Sequence, residues 1–468
     1  MCVKRDFEVK VMKTEVVAAA LPMQDHWLPL SNLDLLLPPV DFGVFFCYEN
    51  HQFSSGHMVG VLKKALAQTL VSYYAFAGDL VKNSAGEPEL LCNNGGVDFY
   101  EAIADVELKD VDLHNPDECV EGKLVPARNR GVLAVQVTQL NGGGLVVACT
   151  FAHQVADAHS ANMFLVSWAE MAQSKPLSQL PSFRRSLLLP RRPGGYHFSV
   201  DDMYVPISAL PPPPPQNHSQ NDDVQSARSR IYYIKADQVN ELQALANMAI
   251  NCPNEIRKKR TKLEAFCAFL WKTIVSGEFS GGDNSCRLGI VVDGRRRLIN
   301  GGDSKEANLI TSYFGNVLSI PFGEKKIRDL KQNSLNWVAT EVHEFLQSAL
   351  TEEHFLGLID WVEEHRPELG LSKIYAARAT EEEPAVVVSS GQHFPVRKID
   401  FGWGLPVFGS YHFPWGGKSG YVMPMPSAKG NGDWIVYVHL LKGQLELIET
   451  NAGHVFIPLT SHYLFPLA

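Results

Sequence analysis

The chain opens with a pattern of side chains typical of β-strands. Residues 7–18 alternate apolar and polar side chains, and residues 43–48 form a short apolar run bounded by turn residues; both segments are predicted strands. Apolar side chains then recur at helical spacing over residues 58–70, and Gly78 is predicted to end that helix. The first part of the chain is therefore predicted to mix strands and helices.

A β-hairpin is predicted next. Residues 131–140 and 145–152 are apolar runs joined by Asn-Gly-Gly-Gly at 141–144, a turn that suits a hairpin. The second strand ends at His153, and apolar side chains recur at helical spacing from about Asp157 onward. His153 is thus predicted to lie between a buried strand and a helix.

The periodic pattern is lost in the middle of the chain. Five consecutive prolines occupy residues 211–215 and a polar run follows at 216–225, a composition that favours an exposed crossover. We therefore predict a first domain over residues 1–180, a crossover loop over 181–227 and a second domain over 228–468.

The second half again alternates strands and helices. Strands are predicted at 228–234 and 288–292, helices at 237–247 and 262–273, a long amphipathic helix at 327–350, and a terminal hairpin pairing 434–440 with 444–448 across Lys442 and Gly443. The predicted fold class is α/β, with two similar-sized mixed-sheet domains. Two such domains facing each other create a cleft at their interface.

Composition narrows the functional class. The 468 residues are 45% hydrophobic and 20% charged, with a net charge of -9, which fits a globular protein and argues against nucleic-acid binding. The charged start argues against a secretory signal, and no membrane insertion is expected. The eight cysteines are dispersed without a zinc-type cluster, so we expect reduced thiols, no metal and a cytoplasmic enzyme.

Two segments carry candidate chemistry. His153 and Asp157 are four residues apart at the predicted strand-to-helix junction, where a histidine can accept and return a proton near neutral pH and an aspartate can cap the helix. His159 is predicted to pack or to face solvent. A second segment, residues 400–404, reads Asp-Phe-Gly-Trp-Gly. Either motif alone is weak, since the first is common by chance and the second can be a packed turn.

Together the two motifs closely resemble the BAHD acyl-CoA-dependent acyltransferases of plants. Further matches occur in the order expected of that family: LSNLD at 30–34, YAFAG at 74–78, TKLEA at 261–265, DGR at 293–295 and YFGN at 313–316. The resemblance spans the chain. It implies a chloramphenicol-acetyltransferase-like pair of domains with a solvent channel between them, an acyl-CoA co-substrate, no cofactor and a monomer.

The resemblance also implies roles for individual residues. His153 acts as general base in the channel, and Asp157 points away from it to pair with Arg295. Asp400 and Gly402 support the structure, and Trp403 matches a tryptophan whose indole N–H steadies the tetrahedral oxyanion, a role that a fixed donor suits.

Further residues are expected to contact the substrates. Ser389 and Phe401 are candidate contacts for the acceptor. Lys262 and Arg260 are candidate contacts for the CoA phosphates, because lysine and arginine suit phosphate recognition.

Two departures from the family pattern concern substrate choice. Ala158 stands where the family usually has glycine, and Ser389-Ser390-Gly391 replaces a Thr/Ser-Trp signature of the shikimate or quinate branch. Residues 24–34 look most like the branch that contains coniferyl alcohol acyltransferases, among the hydroxycinnamoyltransferases. We therefore expect a phenylpropanoid alcohol acceptor, with an amide-forming enzyme, a shikimate or quinate transferase or a non-catalytic relative as alternatives.

Overall fold

The computed structural model describes residues 6–49, 54–210, 226–248, 259–277, 284–299, 304–376, 383–417 and 419–465. The proline run at 211–215 and the polar run at 216–225 lie outside the described residues. So do two of the eight cysteines, Cys2 and Cys252. The six described cysteines are all buried and free.

The first part of the chain alternates strands and helices. Its elements are β1 (Val9–Val17), β2 (His26–Pro29), β3 (Asp41–Tyr48), α1 (Ser55–Ser72), β4 (Asp79–Lys82), β5 (Pro88–Cys92), β6 (Val97–Glu107), α2 (Pro116–Cys119), β7 (Leu133–Asn141), β8 (Leu145–Ala152) and α3 (Ala158–Ala172). The predicted hairpin is confirmed as the antiparallel pair β7 and β8.

The second part begins within the predicted crossover. Its elements are α4 (Ser199–Met203), β9 (Tyr204–Pro206), β10 (Ala227–Ile234), α5 (Ala236–Ala246), α6 (Lys262–Thr273), β11 (Ser285–Asp293), α7 (Ser304–Thr311), β12 (Leu318–Ser319), β13 (Phe322–Lys326), α8 (Ile327–Gln332), α9 (Leu335–Gln347), α10 (Glu352–His365), β14 (Gly370–Ser372), β15 (Ala385–Ser389), β16 (Phe408–His412), β17 (Gly420–Pro426), β18 (Trp434–Leu441), α11 (Lys442–Asn451), β19 (Ile457–Pro458) and α12 (Ser461–Leu464).

Two large mixed sheets organise the described chain. The first has the order β1-β6-β7-β8-β3-β16, with β6 and β7 parallel, and the second has the order β12-β11-β15-β17-β18-β10-β19, with β13 also on β11. Strand β8 is buried along its whole length, as expected for a strand covered on both faces. The fold is therefore the predicted pair of mixed α/β domains.

Strand β16 links the two halves. It follows β15 in the chain, yet it pairs antiparallel with β3 of the first sheet, with Tyr411 opposite Val44 and Phe408 opposite Cys47. The division proposed from the sequence assigns residues 228–468 to the second domain. In the described residues, the β16 segment of that range completes the first sheet.

The predicted terminal hairpin is wrong. Strand β18 is followed at once by helix α11, not by a second strand. The side chain of Gln444 accepts a hydrogen bond from the main-chain N of Leu441 at 3.2 Å and so supports the helix start. Leu445 and Ile448 are both buried. Their spacing of three residues places them on one face of a helix, although the short apolar run at 444–448 is also compatible with a strand.

The predicted helix over residues 327–350 is also interrupted. It forms two helices, α8 and α9, because Asn333 takes an extended conformation between them. Ser334 then caps α9 by accepting a hydrogen bond from the main-chain N of Trp337. An apolar stripe alone does not reveal such a break, since the stripe continues on both sides of it.

The described residues contain neither a membrane-spanning helix nor a cluster of metal ligands. No helix there is both long enough and apolar enough to cross a bilayer. No group of three histidine, cysteine, aspartate or glutamate side chains in the same residues is placed to hold a metal ion.

Candidate active site

A cavity of about 460 Å³ is lined by residues from both sheets. Phe42 and His153 line it from the first sheet, and Ile290 and Ser389 line it from the second. The ends of strands and the first turn of α3 form much of its wall, which is where loops and strand ends can present side chains to a ligand.

His153 is held between aromatic rings at the end of β8. Its ring centroid lies 4.9 Å from that of Phe42 and 6.1 Å from that of Phe413. The Nδ1 atom is enclosed and makes no well-directed hydrogen bond to another described residue. Since His153 lines the cavity, Nε2 is the nitrogen that a ligand can reach.

The protonation of His153 suits a general base. Burial lowers the pKa of His153 below its ordinary value of 6.5, against the raising effects of its own main-chain carbonyl, Asp157, Asn316 and Asp41. The imidazole is therefore mainly neutral near pH 7, and a neutral imidazole can accept a proton from a bound alcohol or amine.

The main chain of His153 is held on both sides. Its N–H donates to the carbonyl of Val40 at 2.9 Å. Its carbonyl accepts a hydrogen bond of 2.9 Å from Nδ2 of Asn316, which also donates to the carbonyl of Gln154 at 3.3 Å. The position of the base thus depends on a residue more than 160 positions away.

Asn316 is held in turn by Asp34. Oδ1 of Asp34 accepts hydrogen bonds from N and Nδ2 of Asn316, at 2.6 Å and 2.9 Å, while Oδ2 accepts from N and Oγ of Ser31. The two motifs LSNLD and YFGN therefore meet in space behind His153. Sequence analysis used them only as family signatures and missed Asp34 and Asn316 as site residues, because nothing in the spacing shows that they touch.

Asp157 points away from the cavity and pairs with Arg295. Nη1 of Arg295 lies 2.7 Å from Oδ2 and Nη2 lies 3.2 Å from Oδ1, and both side chains are about 1% exposed. Burial alone raises the pKa of Asp157, but the charge and hydrogen bonds of Arg295 outweigh it, so this pKa lies below its usual value. Asp157 also caps α3 through the main-chain N of Ser160.

The segment 400–404 forms a turn that packs on the first sheet. Oδ1 of Asp400 accepts hydrogen bonds from N of Gly402 at 2.8 Å and N of Gly404 at 2.9 Å. The two glycines have φ angles of +113° and +106°, which side chains with a Cβ rarely adopt. Asp400 therefore supports a local turn and does not line the cavity.

Phe401 and Trp403 are not brought to the cavity either. Phe401 packs its ring against Trp168 at 4.9 Å, and Trp403 stacks on Phe401 at 5.6 Å. Nε1 of Trp403 is buried without a hydrogen-bond partner in the described chain. Phe401 is buried in the core, Trp403 packs half-buried against it, and neither lines the cavity, so this structure gives no support to the expected substrate contact of Phe401 or oxyanion contact of Trp403.

The two departures from the family pattern have clear surroundings. Ala158 begins α3 and lines the cavity, in a helical conformation that accepts a methyl group. Gly391 lies so close to β17 that a Cβ there would be 2.6 Å from the Pro424 carbonyl oxygen and 2.6 Å from Cγ of Met425. Ser389, two residues earlier, does line the cavity. A tryptophan at 391 is incompatible with this backbone.

The two basic residues expected to contact CoA, Arg260 and Lys262, do not line the cavity. Arg260 is buried, with Nη2 3.4 Å from Oγ1 of Thr340, and Lys262 is exposed at the start of α6. Neither lines the cavity; among its described lining residues the only lysine or arginine is Arg297. His159 also lines the cavity, and its Nε2 lies 2.9 Å from the Thr311 carbonyl, so it is neither purely packed nor solvent-facing.

Known proteins share this architecture. The structure of F. graminearum TRI101 complexed with coenzyme A and T-2 mycotoxin matches with a TM-score of 0.71 at 15% identity, covering 91% of this chain and 97% of that one. Vinorine synthase matches with a TM-score of 0.68 at 16% identity, covering 97% and 100%. The fold is thus chloramphenicol-acetyltransferase-like, with a neutral histidine facing the cavity between its two sheets.

Sequence comparison gives the family. Residues 7–455 match the profile described as Transferase family. Shikimate O-hydroxycinnamoyltransferase of Nicotiana tabacum is 27% identical over 457 residues, which cover 94% of this chain and 98% of the relative. The chain belongs to this family, the BAHD transferases, and is a CoA-dependent acyltransferase; the branch within the family is not resolved at this identity.

Proposed function

We propose that the protein transfers an acyl group, acetyl or hydroxycinnamoyl, from CoA to the hydroxyl of a phenylpropanoid alcohol such as coniferyl alcohol. The observation that carries this proposal is the wall of the His153 cavity. Beside Phe42 it presents a group of aromatic side chains: Tyr204, Tyr375, Tyr411, Phe413, Trp415 and Tyr421. Such a wall suits a flat aromatic ligand, because aromatic rings pack favourably on one another.

The carboxylates of the cavity favour an alcohol over an amine. Asp293 and Glu264 line it, but Asp293 binds the Arg295 side chain at 3.1 Å. Glu264 binds the main-chain N of Thr261 and lies 2.6 Å from Nδ1 of His343. Glu264 is therefore engaged, and only the second oxygen of Asp293, 3.9 Å from Nδ1 of His159, is left to meet an ammonium group, whose burial without a partner is costly. The amide-forming alternative therefore has less support.

Gly391 bears on the shikimate or quinate alternative. That branch carries a tryptophan in the signature that Ser389-Ser390-Gly391 replaces, and the approach of Pro424 and Met425 leaves no room for it. The acceptor contacts that such a tryptophan supplies are therefore replaced here. Ser389 still offers a hydroxyl to the cavity, and we propose it as an acceptor contact.

The proposed reaction uses His153 as its base. Nε2 removes the proton of the acceptor hydroxyl as the oxygen attacks the thioester carbonyl, so a C–O bond forms and the carbonyl electrons move to oxygen. The tetrahedral intermediate then re-forms the carbonyl and expels the CoA thiolate, which takes the proton from His153. Orientation of the two substrates in one cavity supplies up to about 7–11 kcal/mol of the barrier reduction.

Lys262 stays a proposed contact for the CoA phosphates. It is exposed, and its neighbours Thr261 and Leu263 line the cavity, so its ammonium group can meet a phosphate outside the opening. Arg297 is a better candidate than Arg260, because it lines the cavity and its buried Nε has no partner in the described chain. Arg260 is buried elsewhere.

The test is thiol release by the purified protein over a grid of substrates, with products identified by mass. The donors are acetyl-CoA, p-coumaroyl-CoA, feruloyl-CoA and malonyl-CoA, and the acceptors are coniferyl alcohol, shikimate, spermidine and tyramine. His153→Ala is the matched control, because alanine removes the base and is too small to block the cavity.

The outcomes separate the alternatives. We expect an ester of coniferyl alcohol with wild type and no product with folded His153→Ala. Product only with an amine moves the enzyme to the amide-forming class, and product only with shikimate contradicts the argument from Gly391. Wild-type turnover that survives in His153→Ala contradicts the mechanism.

A further inference from the structure

The proposed mechanism places negative charge on an oxyanion, and the cavity that holds His153 is also lined by side chains that can donate a hydrogen bond to it. A thioester carbonyl becomes negatively charged during attack, and a fixed donor aimed at that oxygen lowers the barrier. Trp403 packs outside the cavity. The donor must therefore be sought among the side chains that share the cavity wall with His153.

The strand register places Tyr411 on the same sheet face as His153. Phe42 pairs with Phe151, two residues before His153, and Tyr411 pairs with Val44, two residues after Phe42; residues two apart on a strand share a face. Ring contacts agree, because Phe42 lies 4.9 Å from His153 and 5.9 Å from Tyr411. One aromatic ring thus separates the base from the tyrosine.

Tyr411 fixes the orientation of Asn162, which lines the same cavity from α3. The hydroxyl of Tyr411 donates to Oδ1 of Asn162 at 2.9 Å, and it lies 3.4 Å from the carbonyl of Ala158 one turn earlier on that helix. With Oδ1 engaged, Nδ2 is the free end of the amide. Nδ2 makes no hydrogen bond to another residue in the described part of the chain.

We propose that Nδ2 of Asn162 donates a hydrogen bond to the oxyanion of the tetrahedral intermediate, and that Tyr411 is a positioning residue that keeps this amide turned towards the cavity. The inference rests on the proposed acyl transfer at His153. During attack the carbonyl oxygen gains the electron pair and Nδ2 meets it; when the C–S bond breaks, the pair returns and the contact weakens. Asn162 is half-buried, so this dipole needs little rearrangement.

The kinetic test uses Asn162→Ala, the isosteric Asn162→Asp and Tyr411→Phe, with the donor and acceptor that wild type accepts. Loss of one oxyanion donor lowers kcat by about 10²–10³-fold, and we expect this for both Asn162 variants with KM changed by less than about threefold. Tyr411→Phe should lose less than Asn162→Ala. Because Tyr411 acts through Asn162, the double variant should be no slower than Asn162→Ala alone.

A binding test isolates the oxyanion contact. A trifluoromethyl ketone analogue of acetyl-CoA, with CH₂–CO–CF₃ on the thiol, forms a tetrahedral hydrate that mimics the intermediate. We expect Asn162→Ala to weaken its Kd by about 10²-fold relative to that of CoA, and Trp403→Phe to leave that ratio unchanged.

The failures are distinguishable. Wild type with no turnover on any substrate pair refutes the proposed function. Wild-type turnover together with an unchanged kcat and analogue ratio in both Asn162 variants refutes only this inference. If Trp403→Phe loses affinity for the analogue and Asn162→Ala does not, the oxyanion donor is the indole N–H of Trp403 and this inference is wrong. A uniform rise in KM without a change in kcat reduces Asn162 to a binding residue.

Discussion

Replacing Arg295 by methionine should destabilise the protein far more than replacing an exposed arginine. Methionine keeps much of the side-chain length and removes the charge, so Asp157 remains buried with only two main-chain partners, N of Ser160 at 2.9 Å and N of Val317 at 3.3 Å. The variant also removes the donors to the carbonyls of Tyr313 and Gly315.

The magnitude follows from burial. Both Arg295 and Asp157 are about 1% exposed, and breaking such a pair by removing one partner costs about 3–5 kcal/mol, because the other charge stays buried. Asp157→Asn should cost less than Arg295→Met, since Asp293 still lies 3.1 Å from the guanidinium and keeps it partly paired. The double variant should resemble Arg295→Met and not the sum of both losses.

Equilibrium urea unfolding, read as the free energy of the first transition, measures these costs, with the exposed Arg328→Met as the matched control. The difference in free energy of unfolding between wild type and Arg295→Met should also depend on pH. The pKa of Asp157 is lowered in the folded state, so its contribution is complete above the ordinary value of about 3.8 and is lost as the pH falls below it. A cost under about 1 kcal/mol for Arg295→Met with wild-type kcat would refute the idea that this pair holds the His153 loop.

Three further predictions follow from the same contacts. Because the pKa of His153 is lowered below 6.5, kcat/KM should stay level down to about pH 6.5 and fall below it; a fall beginning well above pH 7 contradicts this. Asn316→Ala should lower the free energy of unfolding by about 1–3 kcal/mol and should change kcat more than KM. The control Asn333→Ala, which also loses a hydrogen bond to a main-chain carbonyl, should keep the wild-type kcat. Gly402→Ala should lower the free energy of unfolding by about 1–2 kcal/mol because of its φ of +113° alone, since no atom lies nearer than 3.9 Å to the added Cβ. Thermal unfolding measures this loss, with Gly443→Ala as the control.

Much of the fold was predictable because its signals are local. The turn at residues 141–144 joins strands in which apolar residues predominate, and helix α6 has the predicted bounds Lys262–Thr273, with a Thr261 cap that the sequence displays. The failures occurred where two periodicities compete over a few residues. Leu445 and Ile448 lie in a short apolar run that fits either element, and the helix start is supported by the Gln444 hydrogen bond, a contact that no pattern of apolar positions records.

The candidate site was predictable only where a motif is contiguous. His153 and Asp157 are four residues apart, so their junction could be read directly. The relation of Asp34 to Asn316 joins residues 282 positions apart, and that of Tyr411 to Asn162 joins residues 249 apart. Neither pair is visible without the strand register that brings them together. For Trp403, the family resemblance implied an oxyanion contact, but its ring stacks on Phe401 outside the cavity.

The place of β16 has a consequence for biosynthesis. Strand β3 ends at Tyr48, and its second neighbour begins only at Phe408, 360 residues later, so a ribosome working at about 5–20 residues per second needs roughly 20–70 s to supply it. During that time one edge of a strongly apolar strand has no partner, and such edges invite pairing with other chains. The nascent first half therefore emerges as an incomplete sheet that needs shielding, by a chaperone or by its own transient contacts, until residues 408–412 arrive.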